Sequence, residues 1–401
     1  MKKTMVFDVF QNKDLVNLKQ RVSEAFADIR HRYASLRANE IPKAAFEEIQ
    51  AALANVGFFG CLIPEEYGGT NRGLLTSTVI MEELAAQGLQ SFGPVLNSMA
   101  AAGIARFGAE TVKRDILPPL ARGELKFAIA STETEAGFNV FNVKTYAERS
   151  RDRFIVNGSK IYISGIDVAD SILVIARTMT REECDRRGLS KTAGISVLLV
   201  DPQSEGIERT PLPSHGEGVL TQFSLKLKDV SVPIGHILGD EDHGARVMFR
   251  MFNPERTLAA AMGLGMSRYC LDLACEHARN RKVFQETPIG TYQSIQHPLA
   301  DLAIRQEAVR LMIHRSAWCF DTDVDPNDVA SSANAAKYLA AGLAVQAVDA
   351  AINTFGGKGF DEEKGIIHLW EAARLLKTAP ISDALILNQI AEYVLKLPRS
   401  Y

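Results

Sequence analysis

Cysteine is scarce: five among 401 residues, at positions 61, 184, 270, 275 and 319, with no Cys-x-x-Cys pair and no histidine cluster beside them. That spacing argues against a disulfide framework and against a structural zinc site. Cys270 and Cys275 fall in an Ala/Leu-rich run and read as small core residues. An excess of one charge is also missing, since 45 Lys and Arg against 48 Asp and Glu give 45 − 48 = −3. A chain-wide nucleic-acid surface would be strongly basic, so no nucleic-acid partner is expected. The longest apolar run, 258–266, is far too short to cross a bilayer, and no membrane partner is expected. The opening MKKTMVFDVF carries Asp8 where a signal peptide would be apolar. Reduced thiols without a leader point to a cytoplasmic or soluble matrix protein. No G-x-G-x-x-G opens a helix after a strand and no G-x-x-x-x-G-K-[ST] occurs, which disfavours a nicotinamide-type dinucleotide fold and a P-loop. What is present is ordinary globular material, 46% hydrophobic and 23% charged, in a chain long enough for two or three domains.

The texture changes twice along the chain. Residues 1–125 read as helical, with apolar residues at three- and four-residue spacing over 14–36, 42–53 and 74–89, and a breaker cluster, Pro64-Glu65-Glu66-Tyr67-Gly68-Gly69, as a loop. Over 126–237, short β-branched runs (154–156, 161–164, 171–176, 195–200) alternate with turn signals, and Asn157-Gly158 predicts a hairpin. From 238 to 401 helices return, at 254–281, 293–323, 328–355 and 382–396. Segregated helical, β and helical segments predict an α+β arrangement, not an alternating βαβ fold.

Three places stand out chemically. Ser131-Thr132-Glu133-Thr134-Glu135-Ala136-Gly137, at the first change of texture, lets a flat ligand approach the backbone; a polar interdomain turn would have the same composition. At Phe252-Asn253-Pro254-Glu255-Arg256, Asn253 suits an N-cap and Pro254 the first helical position. Glu255 then lies in the first turn, either facing the helix dipole or, if partly buried, serving as a general base. Phe355-Gly356-Gly357-Lys358-Gly359-Phe360 is a helix C-cap or a close backbone approach to a phosphate, with Arg281 a candidate cation.

Taken in order, these pieces resemble the acyl-CoA dehydrogenase family over nearly the whole chain. They are the 64–69 cluster, Glu82-Glu83-Leu84-Ala85, Phe107-Gly108 through Leu117-Pro118-Pro119 to Gly123-Glu124, and Thr132-Glu133-x-x-Ala136-Gly137. Then come Asn157-Gly158-x-Lys160-x-Tyr162-Ile163-Ser164-Gly165, Glu255-Arg256, Arg281-x-x-Phe284, Gln293-x-x-Gln296 and Phe355-Gly356-Gly357. The resemblance implies an N-terminal helical domain, a middle β-barrel-like domain and a C-terminal four-helix bundle. It also implies FAD held between the middle and C-terminal domains, an acyl-CoA substrate, an electron-transfer flavoprotein or similar acceptor, and a homotetramer (a dimer of dimers). By the same resemblance, Ile129, Ser131, Thr132, Tyr162 and Ser164 line the flavin. Arg281, Phe284, Gln293, Asn353, Gly356 and Gly357 contact the adenine-dinucleotide part, several from the partner subunit. Phe138, Phe252 and Arg256 lie along the acyl-CoA channel.

The family's commonest base is a Glu near the C-terminus, where this chain reads Ala379-Pro380-Ile381-Ser382-Asp383-Ala384-Leu385 and offers Asp383. A minority, including isovaleryl- and long-chain acyl-CoA dehydrogenases, carries the base at the Glu-Arg position, which Glu255 occupies. Glu255 is therefore the expected base, with Asp383 the alternative, and a branched or bulky acyl group is the expected substrate. Phe138 stands where the family usually has a hydroxyl that contacts flavin and ligand, and Ala384-Leu385 replaces its Gly-Thr at the flavin diphosphate; the resemblance implies either a looser hold on FAD or a reshaped ligand entrance. The same fold also serves enoyl-thioester reduction, desulfination, acyl-carrier-protein substrates or a non-catalytic thioester binder.

Overall fold

The structure, a computed structural model, describes residues 13–33, 43–215, 220–284, 286–361 and 365–399. The expected helix ends at Leu36 and Pro42, and the N-terminal decapeptide, lie outside those residues. The chain divides into two compact units: Gly57–Arg72 with Ser91–Glu255, and Met1–Val56 with Gly73–Gln90 and Arg256–Tyr401.

The first unit is built on an eight-stranded sheet. Its strands are β1 (Phe127–Ala130), β2 (Tyr146–Ser150), β3 (Arg153–Ser164), β4 (Ser171–Arg177), β5 (Ile195–Val200), β6 (Ile207–Leu212), β7 (Gln222–Pro233) and β8 (Ile237–Leu238). They are ordered β6-β7-β3-β2-β4-β5-β8, with β1 parallel to β4. Ile172, Val174 and Ala176 point into one apolar layer with Phe154 and Val156, while Leu173 and Ile175 point into the other with Val197 and Leu199. Helices α4 (Gly93–Phe107) and α5 (Glu110–Ala121) and the start of α7 (Gly244–Asn280) cover that second face, through Met99, Ile104, Leu117, Met248 and Met251. Burial on both faces is why 171–176 and 195–200 are continuous apolar runs and do not alternate.

Three expectations are corrected here. Asn157-Gly158 does not turn a hairpin, because β3 runs through it with a register shift between Val156 and Gly158. A glycine is needed because a Cβ at 158 would come within 2.5 Å of Thr145 Oγ1. The hairpin turns instead at Arg151 and Asp152, between Ser150 and Arg153, with Arg151 in the left-handed region (φ 54°). The β segment also contains a short helix, α6 (Arg181–Arg186), whose N-cap Thr180 accepts from Glu183 N–H. Finally, Asn253 and Pro254 do not open a helix. α7 begins at Gly244, so Pro254 lies inside it and Glu255 sits about three turns from the N-terminus.

The second unit is helical: α1 (Lys13–Tyr33), α2 (Lys43–Asn55), α3 (Gly73–Ala85), α7 from Arg256, α8 (Gln293–Asp321), α9 (Pro326–Phe355), α10 (His368–Leu375) and α11 (Asp383–Gln389). The expected last helix is divided, since α11 passes into a π-helical turn at Ile390–Val394. Between α7 and α8 lies a small hairpin of β9 (Lys282–Val283) and β10 (Thr287–Pro288). α3 and α7 approach so closely that a Cβ at Gly265 would lie 2.6 Å from the Ala85 methyl. Across that contact Arg268 reaches Glu82 (2.8 Å) and Glu83 (2.6 Å), and Arg310 of α8 reaches Glu82 (3.0 Å). Burial opposes the charge on Glu82, but Arg310 and Arg268 outweigh it and hold its carboxyl down at about 2. Pro326–Phe360 is long and apolar enough to cross a membrane by length and composition; half of its most apolar window is buried inside this unit, where α9 packs on α8 and α10.

Candidate active site

In the sheet unit, the predicted flavin-lining residues converge on one place. Ile129 lies in β1, Ser131 and Thr132 follow it, and Tyr162 and Ser164 lie on β3. The two segments are joined by Ile161 N–H donating to Thr132 O (3.0 Å). Beneath that bond lies a buried ion pair absent from the expectations. Lys160 Nζ, with a fully buried side chain, donates to Glu133 Oε1 (2.9 Å), Ser131 O (3.0 Å) and Ile175 O (2.6 Å). Glu133 in turn accepts from the backbone N–H groups of Lys144 (2.6 Å) and Thr145 (3.0 Å). Burial pulls the Lys160 ammonium down to about 8 despite the attraction of Glu133. For Glu133, burial pushes upward, yet the Lys160 charge and the Lys144 and Thr145 hydrogen bonds outweigh it and leave it below the usual carboxylate range. All three ammonium protons are therefore used, and the segment carrying Ser131 and Thr132 is fixed to β3. A readable signal existed: Lys160 shares its strand parity with inward-facing Phe154 and Val156.

Tyr162 is 59% exposed and has φ +59°, at a register shift between Lys160 and Ile163. A tyrosine in the left-handed region is uncommon, and such outliers concentrate where a fold presents a side chain to a ligand. Ser164 Oγ accepts from Gln222 Nε2 (3.3 Å). Phe138 is also exposed, and Phe252 is half-buried against the apolar layer that includes Phe141. Glu255 is half-buried in the same unit; the boundary between units falls between it and Arg256, which is buried. Glu255 is about three turns from the helix start, not in the first turn as expected.

The helical unit brings together the other predicted group. His277 stacks on Phe355 (centroids 4.1 Å apart, 17° between planes), tying the end of α7 to the end of α9. Arg281 and Phe284 follow α7, Gln293 opens α8, and Asn353, Gly356 and Gly357 close α9; all six are exposed. Gly356 ends α9 with φ +59°, and a Cβ at Gly356 or Gly357 would meet nothing within 4 Å. Beside them a cavity of about 360 Å³ is lined by Asp349, Ile352, Asn353, Phe360, Ile367 and Trp370. Open glycine backbone, a nearby cation and an aromatic-lined cavity suit the diphosphate and adenine of a dinucleotide. The Ser131, Thr132 and Tyr162 ledge suits a flat ring. The residues present fit FAD.

Asp383 is placed differently. Its Oδ2 accepts from Lys377 Nζ (2.6 Å) and its Oδ1 faces Lys337 Nζ (3.4 Å). Ser382 caps α11 by accepting from Leu385 N–H (3.3 Å).

A helical unit, a mixed-sheet unit and residues that fit FAD are parts a flavoprotein oxidoreductase has, and comparison with known proteins shows that class. Models of the N-terminal, middle and C-terminal domains of acyl-CoA dehydrogenase match residues 17–124, 128–230 and 242–395. Acyl-CoA dehydrogenase FadE12 of Mycobacterium tuberculosis is 36% identical over 388 residues, covering 96% of each chain. A 3-(aryl)acrylate reductase of Clostridium sporogenes is 31% identical over 347 residues, 84% of this chain and 88% of that one. The structure of a glutaryl-coenzyme A dehydrogenase with glutaryl-CoA superposes with a TM-score of 0.89 at 27% identity, covering 98% of both chains. The chain belongs to the acyl-CoA dehydrogenase family, and it is an FAD-dependent oxidoreductase of that family.

Proposed function

We propose that the protein desaturates an acyl-CoA thioester between its α and β carbons, with Glu255 as the base and Asp383 as a structural carboxylate. The observation that carries the assignment is the double ion pair on Asp383, whose two oxygens face Lys377 and Lys337. Both carboxylate oxygens are thus engaged by side chains of the 377–383 segment and α9, which suits a group that holds this segment together. Glu255 is half-buried in α7, in the same helix as Phe252 and Arg256 and at the Glu-Arg position expected of a base. In this reading Glu255 takes the α-proton, and Phe252 and Arg256 orient the thioester along α7. Bound FAD supplies the acceptor for the β-hydride. The Glu133–Lys160 pair holds Ser131 and Thr132 in register with Tyr162, so the ledge is formed before the cofactor arrives.

The three-segment division at 125 and 237, the flavin and channel contacts, the homotetramer, the electron-transfer flavoprotein acceptor and the cytoplasmic location belong to the same proposal. The partner subunit is supported by the exposure of Arg281, Phe284 and Gln293, with Phe284 83% exposed.

The test is anaerobic addition of saturated straight, branched, dicarboxylic and aryl acyl-CoAs to the holoenzyme while the flavin band is followed. Bleaching that survives in Asp383→Asn and is lost in Glu255→Gln supports the assignment; the reverse pattern overturns it. A second reading, the reductive direction on an aryl-substituted enoyl thioester, is favoured by similarity to the 3-(aryl)acrylate reductase. It predicts that reduced enzyme is reoxidised by such a thioester while no saturated acyl-CoA bleaches the oxidised form.

A further inference from the structure

Lys337 lies in the interior of α9, its side chain 1% exposed, among the buried Ala333, Ala336, Ala340 and Ala341. Nothing in helix packing asks for a cation there, and an aliphatic side chain of similar length would fill the space without desolvating a charge. Its surroundings show what it holds. Nζ donates to Ile381 O (2.6 Å) and faces Asp383 Oδ1 (3.4 Å). Asp383 is bonded twice to Lys377, through its Oδ2 to Nζ (2.6 Å) and through its N–H to the Lys377 carbonyl (3.2 Å). Residues 377–383, which connect α10 to α11, are thus closed on themselves at the Lys377 and Asp383 ends. The Lys337 ammonium enters that loop from α9 and holds its far side by the Ile381 carbonyl.

We propose that Lys337 is a positioning residue for the reaction, clamping the 377–383 segment through Ile381 and Asp383 so that it keeps one conformation against the thioester. This rests on the proposed function and on the family resemblance, in which the stretch from Ala379 to Leu385 belongs to the substrate site. The groups facing Lys337 are Asp383 of α11, Lys377 after α10 and Arg256 of α7. Burial lowers the Lys337 ammonium to about 8, Asp383 opposes the shift, and Lys377 and Arg256 add to it. Below that pH the clamp is an ion pair plus a hydrogen bond. Above it, only the hydrogen bond of a neutral amine to Ile381 O is left. Turnover should therefore fall as pH rises through about 8. The direction of change on substitution also follows. An arginine at 337 does not titrate there, and removing the Asp383 charge takes away the group that keeps Lys337 protonated.

The experiment measures the rate of anaerobic flavin bleaching against pH, using the holoenzyme and whichever saturated acyl-CoA bleaches it fastest. Lys337→Met should bleach about 10- to 100-fold more slowly at neutral pH, the loss expected when a reacting geometry slips by about an ångström. Its flavin content and thioester-induced spectral shift should stay as in the wild type. Lys337→Arg should move the alkaline limb upward, and Asp383→Asn should move it downward. A wild-type rate in Lys337→Met, or one common limb in all the proteins, overturns the proposal. If Lys337→Met does not accumulate as holoenzyme, the opposed displacements in Lys337→Arg and Asp383→Asn decide it, since a merely structural lysine moves neither. Glu255→Gln is run alongside. If it bleaches normally while Asp383→Asn is inert, the assignment of the base fails, and the limb of Lys337→Arg still judges the clamp.

Discussion

Replacing Lys160 by Met tests whether the flavin ledge is built on one buried charge. The substitution keeps the length of the side chain but removes three donors, to Glu133 Oε1, Ser131 O and Ile175 O. Glu133 would keep its two backbone donors, from Lys144 and Thr145, and lose its countercharge. Stranding one member of a buried pair costs about 3–5 kcal/mol. The two remaining N–H bonds favour the lower end, about 3 kcal/mol, a large share of an ordinary stability of about 5–15 kcal/mol. Replacing both partners, Lys160→Met with Glu133→Gln, should cost less than Lys160→Met alone, because no bare carboxylate stays buried. The assay is the urea midpoint of the transition that releases flavin, which follows the sheet unit without requiring the whole chain to unfold in one step. A pH series adds a signed check. Folded Lys160 titrates at about 8 against an ordinary 10.5, so between those values the unfolded chain binds more protons. Stability from this group must then rise with pH across that window. Lys337 has the same shift, so the quantity to read is wild type minus Lys160→Met. A loss below about 1 kcal/mol, or a double variant as unstable as the sum of the single ones, refutes the reasoning.

Three further outcomes follow from the geometry. Gly357→Val meets open space, so its unfolding midpoint should match the wild type while FAD affinity, read by fluorescence titration of apoprotein, falls by about tenfold or more, equivalent to about 1.4 kcal/mol. Gly265→Leu forces α3 and α7 apart at Ala85 and should destabilise the helical unit by about 1–3 kcal/mol, measured by thermal circular dichroism. Glu82 is held at about 2, against an ordinary 4.5, so its contribution is present above 4.5 and lost as pH falls through that interval. Glu82→Gln should flatten the acid limb of the helical signal between those values; an unchanged limb counts against the Arg268–Glu82–Arg310 cluster as its source.

How much of this was readable without coordinates differs from element to element. Helices α8 and α9 stand within two residues of expectation because their apolar periodicity runs over eight turns or so, and Asp325 caps α9 by accepting from Asn327 N–H (2.9 Å). The start of α7 was misread because Asn253-Pro254 is a good local helix opening, and a helix already three turns long tolerates Pro254 inside it. Asn157-Gly158 was misread for the same reason: local turn chemistry was right, but pairing with β7 on the far side carried β3 through. At the candidate site, Ser131, Thr132 and Tyr162 could be named from their motifs; strand parity signalled that Lys160 is buried, but not that it pairs with Glu133. Their pairing joins a loop residue after β1 to β3, 27 residues apart in sequence.

The sequence by itself determined the family, the segregated helical and β segments, and the residue types offered to FAD and a thioester, because those follow from ordered motifs and periodicity. Only the tertiary structure decided which charges are buried and with whom. Glu255 and Asp383 are both carboxylates in the sequence, equal candidates by chemistry. Folding brings Lys377 and Lys337 to Asp383 and sets Glu255, with interactions of its own, half-buried inside α7. Which groups a carboxylate meets depends on residues distant along the chain, and that is not a local property of sequence.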